Sequence, residues 1–159
     1  MPRSHFAMAL VALALAVAGC KATATSGSCR AGSPVCYELP AGFVQKGDPV
    51  ERPDLFSIAY ADESKGRVEF IVRDLDGFDV RWKALQGNAK AAKATDVREE
   101  DLAGGKGKLL TYSTPEKEPR FIVATMLRGA KKSIECVGEY RTSVPRPAVV
   151  DACKSAREP

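Results

Sequence analysis

Histidine is nearly missing from this chain: its 159 residues contain one, His5. That residue belongs to a short basic start ahead of an apolar run with the look of an export leader, so the mature chain keeps no imidazole. Ser-His-Asp and Cys-His nucleophile systems are thereby disfavoured, together with the commonest metal ligand. The cysteines form no C-x-x-C pair, which argues against a dithiol redox centre or a zinc site. Concentrated charge is lacking too. The formal net charge is +4, and removal of Arg3 with the leader leaves 23 basic against 20 acidic side chains. Nucleic-acid binding normally needs a clustered basic patch, which this balance does not supply.

Two motif-like stretches lack the residues that would make them functional. Asp74-Leu75-Asp76-Gly77-Phe78-Asp79 opens like a calcium loop but has no third oxygen ligand before the glycine. Leu85 also stands where the loop's closing glutamate belongs. Gly104-Gly105-Lys106-Gly107-Lys108 resembles a phosphate loop, yet Leu102 replaces its first glycine and Leu109 its Ser or Thr. Helix capping and a flexible turn are the expected roles. Glu99-Glu100-Asp101 is expected to face water, as are Lys131, Lys132 and the basic residues from Arg141 to Arg146. Trp82, the only tryptophan, falls on an apolar helical stripe and is expected in the core.

What is present begins with the address. The run Phe6 to Ala18 is shorter than the ~20 residues a helix needs to span a bilayer, and it fits the apolar region of a secretory signal. It closes with Val17-Ala18-Gly19-Cys20, which resembles the lipobox of bacterial lipoproteins. The resemblance implies cleavage before Cys20 and a diacylglycerol, with palmitate among the acyl chains, on that cysteine. Removing the first 19 residues leaves 140, enough for one domain with a substantial core. Lys21, not aspartate, follows the cysteine, which in enteric bacteria favours the outer membrane. Residues 20–28 (CKATATSGS) are expected to form a lipidated flexible tether ahead of a single domain at 29–159.

Export makes the remaining cysteines, Cys29, Cys36, Cys136 and Cys153, candidates for disulfides. Four cysteines allow three connectivities, and the sequence does not choose among them. The preferred pairs are Cys29 with Cys36, around a Gly- and Pro-containing turn, and Cys136 with Cys153.

The pattern along the chain alternates in period. A short strand over Tyr37–Val44, broken by Leu39-Pro40-Ala41-Gly42, is expected, followed by strands at Leu55–Ala61 and Arg67–Arg73. Phe78, Trp82, Leu85, Ala89 and Ala92 then recur at helical spacing, with Asp76 as N-cap and Asp79 in the first turn. Strands resume at Thr95–Leu102, Lys108–Ser113, Arg120–Leu127 and Lys132–Tyr140. A last helix follows Pro145 and Pro147, with Val149, Cys153 and Ala156 inward. This order predicts an α+β domain in which helices cover an antiparallel sheet.

The order is similar to that of the PsbP-like fold, an α/β/α sandwich found in small bacterial lipoproteins of the LpqN and DcrB types. The residues that carry the resemblance are Tyr37-Glu38-Leu39-Pro40-Ala41-Gly42-Phe43, the helix after Asp76, and the strand SIECVGEY before the helix bearing Cys153. Such domains generally bind or assemble, so the resemblance implies a non-catalytic envelope module without a cofactor. Its expected partners are membrane lipid, through Cys20, and an envelope protein. The alternatives are an enzyme using carboxylates such as Asp74, Asp76 or Glu99, and a sensor of small ligands.

Overall fold

The computed structural model describes residues 26–29, 32–64, 66–115, 120–141 and 147–159. The leader, the lipobox with Cys20, Pro145 and Arg146 lie outside the described residues. In chain order the elements are β1 (Ser26–Ser28), β2 (Tyr37–Leu39), β3 (Val44–Gln45), β4 (Val50–Arg52), β5 (Leu55–Asp62) and β6 (Gly66–Asp74). Helix α1 (Phe78–Ala91), β7 (Thr95–Leu102), β8 (Gly107–Ser113), β9 (Arg120–Arg128), β10 (Lys132–Arg141) and α2 (Pro147–Ser155) follow. The fold is α+β, with an antiparallel eight-stranded sheet and two helices among the described residues.

Strand order in the sheet is β3-β5-β6-β10-β9-β8-β7, with β4 also pairing β5. Two locally formed pieces meet at the centre. The β5–β6 hairpin forms one side, helix α1 crosses to the far edge, and the meander β7-β8-β9-β10 returns until β10 pairs β6. Edge strand β7 (TDVREEDL) is exposed along nearly its whole length, and its charges discourage pairing with another chain.

Side-chain alternation sorts the sheet into two faces. One carries Ile58, Val68, Phe70, Val72, Val123, Ile134, Cys136 and Tyr140 into a core roofed by Val149, Ala152 and Cys153 of α2. Tyr37 of the β1–β2 ribbon completes that roof, stacking on Phe70 at 4.3 Å between ring centroids and sharing a hydrogen bond with the Tyr60 hydroxyl. The other face carries Leu110, Tyr112, Ala124 and Met126 against Phe78, Trp82 and Ala89 of α1. Helix α2 lies close to β10 because Gly138 has no side chain: a Cβ there would fall on Val149 Cγ1. Both expected disulfides are present, Cys29–Cys36 in the ribbon and Cys136–Cys153 between β10 and α2.

Three local expectations are revised. Asp76 does not cap α1. The N-cap is Gly77, whose left-handed backbone (φ 78°) suits glycine, and no side chain bonds the helix end. Asp76 instead offers its carbonyl to Arg81 Nη1 at 2.7 Å. Ser26–Ser28, assigned by sequence to the tether, form β1 because they pair with β2 immediately before Cys29 ties to Cys36. Strands β3 and β4, too short to produce an alternating signal, pair along the outer edge of β5.

Gly138→Ala is expected to destabilise the domain by about 1–3 kcal/mol, because the added methyl must displace Val149 in a packed interface. Thermal unfolding of the variant checks this. Removing the Cys136–Cys153 link as a double Cys→Ala variant should lower stability by about 3 kcal/mol, the scale for closing a loop of this size. Denaturant titration beside the wild type reads that loss.

Candidate functional site

The carboxylates that sequence singles out are dispersed. Asp74 Oδ1 accepts a hydrogen bond from Lys132 Nζ at 2.6 Å, and Asp79 Oδ1 accepts one from Arg128 Nη2 at 3.1 Å. Both oxygens of Glu99 accept from Gln86 Nε2 at 2.9 Å. Glu100 lies 3.8 Å from Lys154, and Asp101 lies 3.0 Å from Lys108. Asp74 ends β6 while Glu99 sits in β7, four strand spacings away, or about 19 Å. They do not converge on one reacting atom. Among the described residues, no three His, Cys, Asp or Glu side chains come together in a way that could hold a metal ion.

The other singled-out residues also have local partners. Gly104 and Gly105 take left-handed conformations in the short 3₁₀ turn joining β7 to β8. Lys106 offers its carbonyl to the backbone N–H of Arg128. Trp82 is buried under α1, with Lys108 Nζ 5.9 Å from its ring centre.

A more coherent surface arises from unequal covering of the sheet. Helix α1 packs over β8 and β9. Among the described residues, no helix covers the same face where β5, β6 and β10 run. There Ile71 stands opposite Glu135, Glu69 opposite Val137, and Arg73 opposite Ser133. Ser57 and Ala59 extend the surface onto β5 with small side chains. Ile71, Val137, Glu69 and Glu135 are half-buried, so the surface is a mixed ledge of aliphatic and acidic groups.

Arg81 forms the wall of this ledge. Its guanidinium donates to the Asp76 carbonyl at 2.7 Å, the Asp74 carbonyl at 2.8 Å and Ser133 Oγ at 2.6 Å. One side chain thereby fastens the start of α1 to the ends of β6 and β10. Burial pushes the Glu135 carboxyl above its ordinary range, while Arg73 and Arg81 pull it back and Glu69 adds to the rise. The ledge offers hydrogen-bond acceptors beside apolar patches. Sequence reading overlooked Glu135 because a single glutamate in a strand looks like an ordinary outward residue. The available signal was that β6 and β10 carry aliphatic residues, Ile71 and Val137, at positions alternating with the core-facing set.

Clefts open at the margins of the fold. One of about 620 Å³ lies between α1 and β7, beside Gln86, Lys90 and Glu99. Another, of about 490 Å³, lies at the end of α2, beside Arg128, Lys154 and Glu158. Glu158 accepts hydrogen bonds from the backbone N–H groups of Ala130 (2.9 Å) and Lys132 (3.2 Å). These bonds, chiefly that from Ala130, hold its carboxyl below the usual range. A third cleft, of about 410 Å³, opens beside the β5–β6 turn, where Arg67, Arg120 and Arg141 gather.

The sequence matches no protein-family model and no curated protein. Among solved structures it is similar to a protein from Bacteroides thetaiotaomicron VPI-5482, whose crystal structure was determined at 1.50 Å resolution. The TM-score is 0.50 at 9% identity, and the match covers 79% of this chain and 45% of that one. The chain thus spans less than half the length of that protein, and the likeness is one of fold alone.

Because burial raises the Glu135 pKa on folding, its contribution to stability is fully present below the unfolded-state value and is lost as pH rises through the folded-state value. Glu135→Gln is therefore expected to melt at a higher temperature than the wild type at neutral pH. The difference should vanish in acid, where the native carboxyl is protonated. Melting curves across pH check this, and an unchanged or lower melting temperature at neutral pH would show the arginines outweighing burial.

Proposed function

We propose that the protein is a lipoprotein of the cell envelope, acylated on Cys20, whose PsbP-like domain serves as a non-catalytic binding or assembly module. The observation that carries this reading is the complete lipobox Val17-Ala18-Gly19-Cys20 at the end of a short apolar leader. One acyl chain gives only marginal membrane binding, whereas the several chains of a lipoprotein anchor hold firmly. Two disulfides in the domain agree with an oxidising compartment. In a Gram-negative cell, Lys21 after the acylated cysteine favours the periplasmic face of the outer membrane.

The binding part of the proposal rests on the uncovered ledge of β5, β6 and β10. Ile71 and Val137 supply apolar area; both are half-buried already, so covering the rest gives roughly half of the 1.5–3 kcal/mol that burial of a fully exposed aliphatic side chain contributes. Glu69, Glu135 and Arg73 supply the charge pattern that selects the partner and its orientation. The α/β/α sandwich is consistent with helices α1 and α2 lying on opposite faces of the sheet.

Cys20→Ala should release the protein from the membrane fraction, as read by fractionation and immunoblotting. Retention of the variant in that fraction would refute the anchor. Cross-linking in native cells should capture an envelope protein through the ledge. Paired Ile71→Lys and Val137→Lys substitutions should remove that partner, while Val97→Lys, on exposed edge strand β7, should leave it in place. Equal capture by both variants would move the binding surface elsewhere.

A further inference from the structure

We infer that the end of the sheet carrying Arg67, Arg120 and Arg141 faces the bilayer and binds the phosphates of anionic lipid headgroups. This deepens the anchored reading and rests on it. The path of the chain supplies the orientation. Strand β2 starts beside Cys36, whose backbone bridges Arg157 just past the end of α2. It runs from there toward Leu39, and after a short turn Val44 pairs Ala61, next to the last residue of β5. Ser26 pairs Leu39, so the polypeptide enters the described fold toward the end where β5 turns into β6. Cys20 precedes Ser26 by six residues. Fully extended, six residues reach at most about 20–22 Å. An acylated Cys20 therefore holds this end of the domain, and not the Arg157 end, next to the membrane surface.

The same end gathers guanidinium groups from separate elements. Arg67 is the second residue of β6, Arg120 begins β9 and Arg141 ends β10, where Arg120 and Arg141 are cross-strand neighbours. Together they line the cleft of about 410 Å³ with Ser64, Glu63 and Glu139. Arg120 Nη1 donates to Glu139 Oε1 at 2.7 Å, and Arg67 lies 3.4 Å from Glu69. These pairs fix the Arg67 and Arg120 guanidinium groups while leaving them in contact with water, their side chains being 62% and 52% exposed. Guanidinium matches phosphate in planar, two-pronged geometry. A basic side chain near an anionic leaflet strengthens attachment by about fivefold. Asp62, Glu63, Glu69 and Glu139 stand close by and keep the attraction weak, so the surface orients a domain that its acyl chains already retain.

The test uses the mature, full-length protein in vesicles of phosphatidylcholine, alone or mixed with phosphatidylglycerol. Intact mass reports acylation of Cys20 independently of orientation. Hydrogen exchange then compares amides 61–67 with the control turn 129–132 at the opposite end. Slower exchange at 61–67 alone, in the anionic vesicles and not the neutral ones, is the expected result. Arg67→Gln, Arg120→Gln and Arg141→Gln together should abolish it, and so should high salt on the wild type, which needs no variant to fold. Acylated protein showing protection at 129–132, equal protection in both vesicle types, or none would overturn the inference and leave the anchor standing. An unmodified Cys20 would overturn both.

Discussion

The tertiary structure depends on the contact between strand β10 and helix α2. Strand β10 is the middle of the seven-strand path and the place where the β5–β6 hairpin and the meander join. Its pairing with β6 spans the α1 crossover and most of the meander in sequence, so loop-closure entropy opposes it more than any hairpin. Helix α2 reinforces that junction from above. Cys136 and Cys153 tie it covalently, Gly138 admits Val149, and Thr125 Oγ1 on neighbouring β9 donates to the Cys153 carbonyl at 3.4 Å. With α2 seated, Ser155 and Arg157 present hydrogen-bonding groups that receive Glu38 and Cys36, and the N-terminal ribbon closes over the remaining core.

The asymmetry of the two faces follows. One face is roofed by α2 and the ribbon together, whereas among the described residues α1 alone serves the other and covers its β8–β9 half. A strand face left without a helix normally becomes polar. Here it does so incompletely, because Ile71 and Val137 stand among Glu69, Glu135 and Arg73. Such a mixture suits a surface that is wet when alone and selective when covered. The dispersed carboxylates of Asp74, Asp79, Glu99, Glu100 and Asp101, held in local pairs, contribute to solvation and to the register of neighbouring elements, at about 0–1 kcal/mol for a typical exposed pair.

The sequence was most legible where residues obey a simple period. Strands β5, β6 and β7–β10 fall within a residue or two of their expected bounds, because β-branched and aromatic residues alternate there between clear turns. The helix of Phe78, Trp82 and Ala89 was equally plain. The start of that helix was not, since Asp76 carries a favoured capping side chain whereas the cap is a left-handed glycine, Gly77, and Asp76 offers its carbonyl to Arg81. Two-residue β3 and three-residue β4 gave no periodic signal at all. Disulfide pairing was open among three connectivities until β10 and α2 were set side by side. The ledge was least legible, because it is defined by what α1 fails to cover, and no single residue encodes the breadth of a helix's shadow.

The Cys29–Cys36 bridge has a mechanical consequence. Tension applied at the N-terminus would peel β1 from β2 by breaking backbone pairs one after another, the weakest way to load a ribbon. Peeling stops at Cys29, where the pull crosses a covalent bond to Cys36. Cys36 shares two backbone hydrogen bonds with Arg157, so the load passes at once to the C-terminal end of the chain. The second bridge carries it onward from α2 to β10. The domain therefore meets tension as a stapled unit, with the central strand of its sheet as the final bearing point.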